Sequence, residues 1–292
     1  MWMIFAFASA FFAGITAILS KVGVKNINSN LATAVRTTVV FMFAWLLAAV
    51  RGTLCGIADI NAKTAVFLVL SGLATGASWL CYFKALQSGD ANKVAPIDKS
   101  STVMSMLLAA ICLGEGITPI KAVCMFLIAL GTYLMIDVHK PSEKNGGEDK
   151  NYGWIVWALL SAVFAAATSI LAKIGIAGID SDLGTAIRTT VVLVMAWIVV
   201  AASGGMSDMG KIKGKNLFFL TISGAATGLS WFAYYRALQT GPASVVVPID
   251  KLSILVTVAF SRIVLGEKLT KRAAVGLAAL VFGTLLLVLR AA

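Results

Sequence analysis

A chain of 292 residues that is 59% hydrophobic and 13% charged, with a mean hydropathy of +0.92, has too little polar surface to be a soluble domain. Its net charge of +11 lies mostly in short segments between apolar runs and at their ends, where topology signals and headgroup contacts belong, so nucleic-acid binding is set aside. Cys55, Cys81, Cys112 and Cys124 have no metal or redox spacing, and neither a metal nor any other cofactor is expected.

Apolar runs of spanning length fall at 2-24, 31-50, 64-86, 94-113, 118-136, 152-176, 183-202, 215-238, 244-265 and 270-289, near the ~20 residues a helical span needs. The opening, Met1 to Gly14, lacks the basic start of a signal peptide, and its continuation recurs later in the chain, so it is read as the first span. The expected fold class is an all-α membrane protein of ten transmembrane helices. The expected domains are a five-helix repeat over 1-136, a polar linker over 137-151 and a second repeat over 152-292.

Adding 152 to a residue number in the first half reaches its counterpart without a gap, from Ser9/Ser161 through Lys21/Lys173, Arg36/Arg188 and Asp98/Asp250 to Gly131/Gly283. Between 71-100 and 223-252, 18 of 30 positions are identical. Five spans per copy is an odd number, so a linker held on one side makes the second copy enter inverted, the arrangement of alternating-access transporters. Equivalent loops then face opposite sides, and their charges differ: Asp59, Asn61 and Lys63 become Lys211, Lys213 and Lys215 where the loop joins the linker side. The positive-inside rule makes the linker side cytoplasmic and both termini external, in an inner (cytoplasmic) cell membrane.

Helical spacing gives polar stripes to spans 1, 3 and 4: Ser9/Thr16/Ser20, then Ser71/Thr75/Ser78/Tyr82, then Asp98/Ser101/Ser105. The second copy repeats them, with Thr227, Tyr234 and Ser253 among the members. Since hydroxyls facing hydrocarbon are costly, the stripes are expected to converge on a hydrated path, the alternative being hydrogen bonds between helices. Trp79 and Trp231 are candidate cavity aromatics, with core packing the alternative.

Both copies carry Pro-Ile-Asp-Lys inside an apolar run, at 96-99 and 248-251. An ionised group within a span needs a partner or a watery cavity. Pro96 and Pro248 are candidate hinges. Asp98 and Lys99 point about 100° apart on a helix and do not satisfy each other; Asp98 is therefore expected to pair with Arg36, and Asp250 with Arg188. Lys84 and Arg236 point off the stripes toward headgroups, while Lys21 and Lys173 stand between snorkelling and gating. Four cations and one acid per layer favour anionic or zwitterionic cargo, and the depth of Asp98/Lys99 and Asp250/Lys251, about 10 Å from a helix end, favours gating. Glu115, in a turn, reads as a structural ion pair or cap.

The turns LGEGIT at 113-118 and LGEKLT at 265-270, each followed by a glycine-bearing span in a duplicated ten-span layout, resemble the EamA-type family of the drug/metabolite transporter superfamily. The resemblance implies two inverted five-helix bundles around a central cavity and export or exchange of small metabolites. Relatives that carry phosphorylated sugars use basic residues for anions. The small multidrug branch has an embedded glutamate in its first helix; spans 1 and 6 here have no acid, which disfavours proton-driven drug efflux. The expected function is that of a carrier for a small polar metabolite such as an amino acid, with a flippase for a lipid-linked anion or a non-transporting scaffold as alternatives. No HExxH or GxSxG motif is present, so no enzyme is expected. The expected partners are a small-molecule substrate and the lipid bilayer, with a homodimer left open.

Overall fold

The computed structural model describes residues 1–23, 27–88, 94, 97, 99–135, 153–212, 214–264 and 270–291. Its long helices are α1 (Trp2–Gly23), α2 (Ser29–Val50), α3 (Ala62–Ser88), α4 (Ser101–Leu113), α5 (Pro119–Met135), α6 (Gly153–Ile176), α7 (Ser181–Ala202), α8 (Gly214–Thr240), α9 (Ala243–Lys251), α10 (Ser253–Val264) and α11 (Lys271–Ala291). Short 3₁₀ turns, Thr53–Ile57 and Gly205–Lys211, follow α2 and α7. Among the described residues, eight helical stretches are long and apolar enough to cross a membrane, and α4 and α5 are shorter apolar helices. The protein is a multi-pass, all-helical membrane protein, and Ile111, Phe126, Phe218, Ile263 and Leu289 point outward from it as a lipid-facing wall.

Local chemistry repeats with the sequence. Asn28 and Asp180 cap α2 and α7, the first accepting from the amides of Asn30 and Leu31, the second from that of Asp182. Gly52 and Gly204 follow the same helices at φ +70°, a left-handed conformation that glycine adopts without a Cβ penalty.

Helices pair between the halves. Serines and threonines zip α1 to α8, through Ser9–Ser230, Thr16–Thr227 and Ser20–Ser223, and α3 to α6, through Ser78–Ser161 and Thr75–Thr168. Rising numbers on one helix meet falling numbers on the other, so each pair is antiparallel. So is α2 with α7, where Trp45 Nε1 donates to Thr190 and Trp197 Nε1 to Thr38. So is α5 with α11, where Gly131 abuts Gly276 and Leu280 while Gly283 abuts Cys124 and Leu127. Stripe members such as Ser9, Thr16, Ser20 and Ser223 thus serve interhelical bonds, the alternative to a path, while Thr75, Ser78, Thr168 and Ser230 make such bonds and also line an interior space. A hydroxyl buried between helices finds a neighbouring hydroxyl or carbonyl closer than it finds water.

Glycines set the spacing that seats the charged layer. A Cβ on Gly72 would stand 2.6 Å from Val191 Cβ and 3.2 Å from the Arg188 carbonyl, and one on Gly224 would stand 2.6 Å from Val39 Cβ and 3.0 Å from the Arg36 carbonyl. Close approach of α3 to α7, and of α8 to α2, therefore depends on these positions.

The ninth predicted span is broken. Helix α9 stops at Lys251 and α10 starts at Ser253, with the amide of Leu252 donating to the carbonyl of Ile249 at 2.9 Å. Ser100 and Ile97, their counterparts, make the same bond at 3.1 Å. The break follows Pro248 by four residues; the proline itself is buried inside α9. Pro96 lies outside the described residues.

Candidate functional site

One end of the bundle is the linker end, where α5 stops and α6 begins. The other, distal end holds the α4–α5 turn, the end of α8 and the start of α9, and it is closed by a clasp. Glu115 pairs with Lys173 at 3.2 Å and accepts from the amides of Ala243 at 2.7 Å and Ser244 at 2.9 Å, while Lys173 also donates to the Gly241 carbonyl at 2.6 Å. Burial pushes the Glu115 carboxyl up, but hydrogen bonding from Ser244 and Ala243 and the Lys173 ammonium outweigh it and hold it below its ordinary range. Lys173 is thus tied down rather than snorkelling. Beside the clasp, Arg51 pairs with buried Asp182 at 3.2 Å and Arg236 with Asp180 at 3.6 Å. Arg236 is therefore held by a carboxylate rather than reaching to headgroups, while Lys84 lies over the Trp157 ring at 4.2 Å.

Inside this lid lies a chamber of about 270 Å³. Its chemistry centres on Arg188, which is 2% exposed. Nε donates to Ser71 at 2.8 Å and Nη2 to Thr75 at 2.6 Å, while the guanidinium lies 5.2 Å from the Trp231 ring and 4.9 Å from that of Tyr235. Nη1 is buried without a hydrogen-bond partner among the described residues. Two hydroxyls and two ring faces orient this cation and disperse its charge, but they supply no counter-charge. Each desolvated ring contributes about 2 kcal/mol, whereas burying an ion costs several kcal/mol, so the guanidinium remains a strong anion receptor.

Asp250 does not supply the missing charge. Its carboxylate accepts from Ser9 at 2.7 Å and lies 3.8 Å from Lys251 Nζ. The expected pairing of Asp250 with Arg188 is thus not made, and the neighbouring aspartate and lysine, expected to point apart, approach each other. Both residues lie in the last turn of α9, where the 100° step fixes only the directions of their Cβ atoms, and the long lysine stem brings Nζ back toward the carboxylate. Thr75, Trp79, Trp231, Tyr234, Asp250 and Lys251 line the chamber with Arg188. Tyr234 donates to Ser169 at 2.8 Å.

Through Ser78, Trp79, Ala165 and Lys251 the chamber shares walls with a second space of about 410 Å³ toward the linker end. There Arg36, Lys99, Ser101 and Tyr82 stand with Thr33, and Arg36 Nη1 donates to Ser20 at 2.6 Å. Ser253 lines a third space of about 370 Å³ shared with Lys99 and Lys251. Thr227 is not among these walls; it is 8% exposed and bonded to Thr16. Asp98 and the side chain of Lys21 lie outside the described residues, and with them the expected Asp98–Arg36 pair.

Tyr235, Ser169 and the Arg51–Asp182 pair escaped sequence reasoning. Tyr235 had a signal, since Tyr234-Tyr235 replaces Tyr82-Phe83 of the first copy. Arg51 and Asp182 had none, because Ser203 and Asn30 occupy their duplicated positions.

Residues 1–137 and 152–289 each match the EamA-like transporter family. A protein of Sinorhizobium sp described as "Uncharacterized transporter in cobO 3'region" is 48% identical over 134 residues, which are 46% of this chain and 95% of that protein. A solved crystal structure, of a protein whose description gives no function, superposes with a TM-score of 0.80 at 15% identity, covering 99% of this chain and 97% of that one. At that identity the likeness speaks for the fold. The two matched segments take in nearly the whole sequence, and the chain belongs to the EamA-like transporter family.

Proposed function

We propose that the chain is an alternating-access carrier, in the cytoplasmic membrane, that exports or exchanges a small anionic or zwitterionic metabolite such as an amino acid or another carboxylate. In this reading ten helices cross the membrane as two inverted five-helix repeats, with the α9–α10 pair as one crossing and the segment ending in α4 as its counterpart. The antiparallel pairing of the duplicated helices α2 with α7 and α5 with α11 supports the inversion, since a two-fold axis in the membrane plane reverses direction. Linker 137-151 is then cytoplasmic and the termini external, on the charge bias of the loops.

The observation that carries the substrate class is Arg188: a guanidinium buried in the membrane layer, lining a chamber, with one nitrogen unpaired among the described residues. A carboxylate or phosphate of the cargo supplies the missing acceptor. Asp250, held by Ser9 and a long approach from Lys251, then offers an acceptor to a cargo ammonium. The distal clasp with the chamber beneath it corresponds to the state closed on the external side. Arg36 and Lys99 form the approach from the linker side, and Lys251 joins the two spaces.

The test is flux. In proteoliposomes loaded with candidate metabolites, wild-type protein exchanges at least one anion or zwitterion, and Arg188→Gln lowers that flux at least about a hundredfold, the scale of a lost buried charge contact. No flux of any tested metabolite by folded wild-type protein, or equal flux by the variant, contradicts the reading.

A further inference from the structure

At the distal end, away from the central chamber, α5, α9 and α11 enclose a pocket of about 390 Å³. Its floor is apolar, formed by Pro242, Val245 and Leu287, the last two almost wholly buried. Its polar wall holds Lys121, from the first turn of α5, and Arg290, from the last turn of α11, beside Thr118. Neither cation forms an ion pair with a described residue. The acid of the adjoining turn, Glu115, is committed to Lys173 and two backbone amides. The pocket is therefore cationic at the level where helices leave the apolar layer. Exposed Val123 and Phe126 on α5 and Leu289 on α11 flank it on the lipid-facing side.

We infer that this pocket is a specific binding site for one anionic phospholipid, its phosphate between Lys121 and Arg290 and its acyl chains along the apolar surface of α5 and α11. An anion with an attached hydrocarbon chain satisfies both walls, and charge-assisted bonds to phosphate are the strong ones. A second copy of the chain does not: a two-fold dimer would set Lys121 and Arg290 against their own duplicates. The duplication does not repeat this cation pair, since the corresponding positions carry Ala273 and Val138. Arg290 also suits the negative end of the α11 dipole, so the test must read out lipid.

Wild-type protein, Lys121→Gln/Arg290→Gln, Lys121→Arg/Arg290→Lys and Lys63→Gln are reconstituted in nanodiscs of equal phosphatidylglycerol and phosphatidylcholine, and retained lipid is counted by native mass spectrometry. Lys63 is an exposed cation on the same face and serves as control. The inference predicts one retained phosphatidylglycerol on wild type, the conservative variant and Lys63→Gln, and about tenfold lower retention on the double glutamine variant, the scale of about 1.4 kcal/mol. Equal retention by the glutamine variant, or equal loss in Lys63→Gln, overturns it. Displacement of the lipid by millimolar inorganic phosphate makes it a soluble-anion site and overturns it. So does a change of oligomeric state in the glutamine variant with lipid retention unchanged. Flux is not read, so failure here leaves the transport proposal standing.

Discussion

Asp250 turns from Arg188 to Ser9: its carboxylate accepts from the serine hydroxyl at 2.7 Å, while the buried guanidinium keeps Nη1 without a partner among the described residues. The cation and the acid of one chamber are thus separately held, and a zwitterion can engage both. In Asp250→Asn the acceptor for a cargo ammonium is weakened and the chamber becomes more positive. The expected outcome is affinity for zwitterions lowered about tenfold, with purely anionic compounds bound as well or better, measured by counterflow competition. A uniform loss across both classes speaks against this division of labour.

Gly72 and Gly224 set the helix spacing on which the arginines rest. In Gly72→Ala the new methyl meets Val191 and the backbone beside Arg188, so α3 and α7 must part. A loss of about 1–3 kcal/mol is expected for such overpacking, visible as a lower melting temperature in detergent. Gly52→Ala, at a left-handed turn with open space around it, strains only the local backbone. It is expected to leave substrate affinity unchanged, whereas Gly72→Ala lowers it. Equal affinity in the two variants would show that the α3–α7 spacing does not seat the site.

The duplication and the all-helical, multi-pass membrane character were legible because the 152-residue offset runs without a gap and hydrophobic length marks the helices. The chamber aromatics and Arg188 were legible because charges and large rings inside apolar runs have few structural uses. The partners of Arg188 were not. Ser71 and Thr75 lie on its parallel neighbour α3, and which helices pair is set by glycine contacts between the halves, invisible to the periodicity of one helix. The hydroxyl stripes were only partly legible for a related reason. Spacing says that Thr16 and Ser20 share a face, and it is equally satisfied by a water-filled path and by Thr227 and Ser223 across a helix interface away from the chamber walls.

The distal clasp gives a pH prediction whose sign is fixed by Glu115. Its carboxyl is held below the ordinary range, so its stabilisation is fully present above the unfolded value and is lost as pH falls through the lower folded one. Between about pH 5 and pH 8 the clasp should therefore not respond to pH. In a background lacking the four native cysteines, labelling of Ala13→Cys in the chamber wall from the distal side by an impermeant thiol reagent, divided by that of the exposed control Lys63→Cys to remove the thiolate's own pH dependence, is expected to be flat across that range. Glu115→Gln should raise it several-fold, and a steep rise between pH 7 and pH 5 in the parent would contradict the sign.

Arg51 and Asp182 should be unequal under mutation. The Asp182 side chain is 1% exposed and that of Arg51 is 40% exposed, so Arg51→Ala leaves a buried carboxylate without its ion-pair partner, whereas Asp182→Asn leaves an arginine that reaches water. The melting temperature is expected to fall most in Arg51→Ala, with Asp182→Asn and the double variant closer to wild type. An equally large fall in Arg51→Ala and the double variant would mean that Arg51 matters through its stacking on Phe232 instead.

The most direct test is ligand-induced thermal stabilisation of purified wild type and Arg188→Gln across a panel of amino acids, other carboxylates, phosphorylated compounds and neutral or cationic analogues. The account predicts a concentration-dependent rise in melting temperature for at least one anion or zwitterion, absent for its neutral or esterified analogue and abolished in Arg188→Gln. Stabilisation that persists undiminished in Arg188→Gln, or that is confined to neutral and cationic compounds, would contradict it.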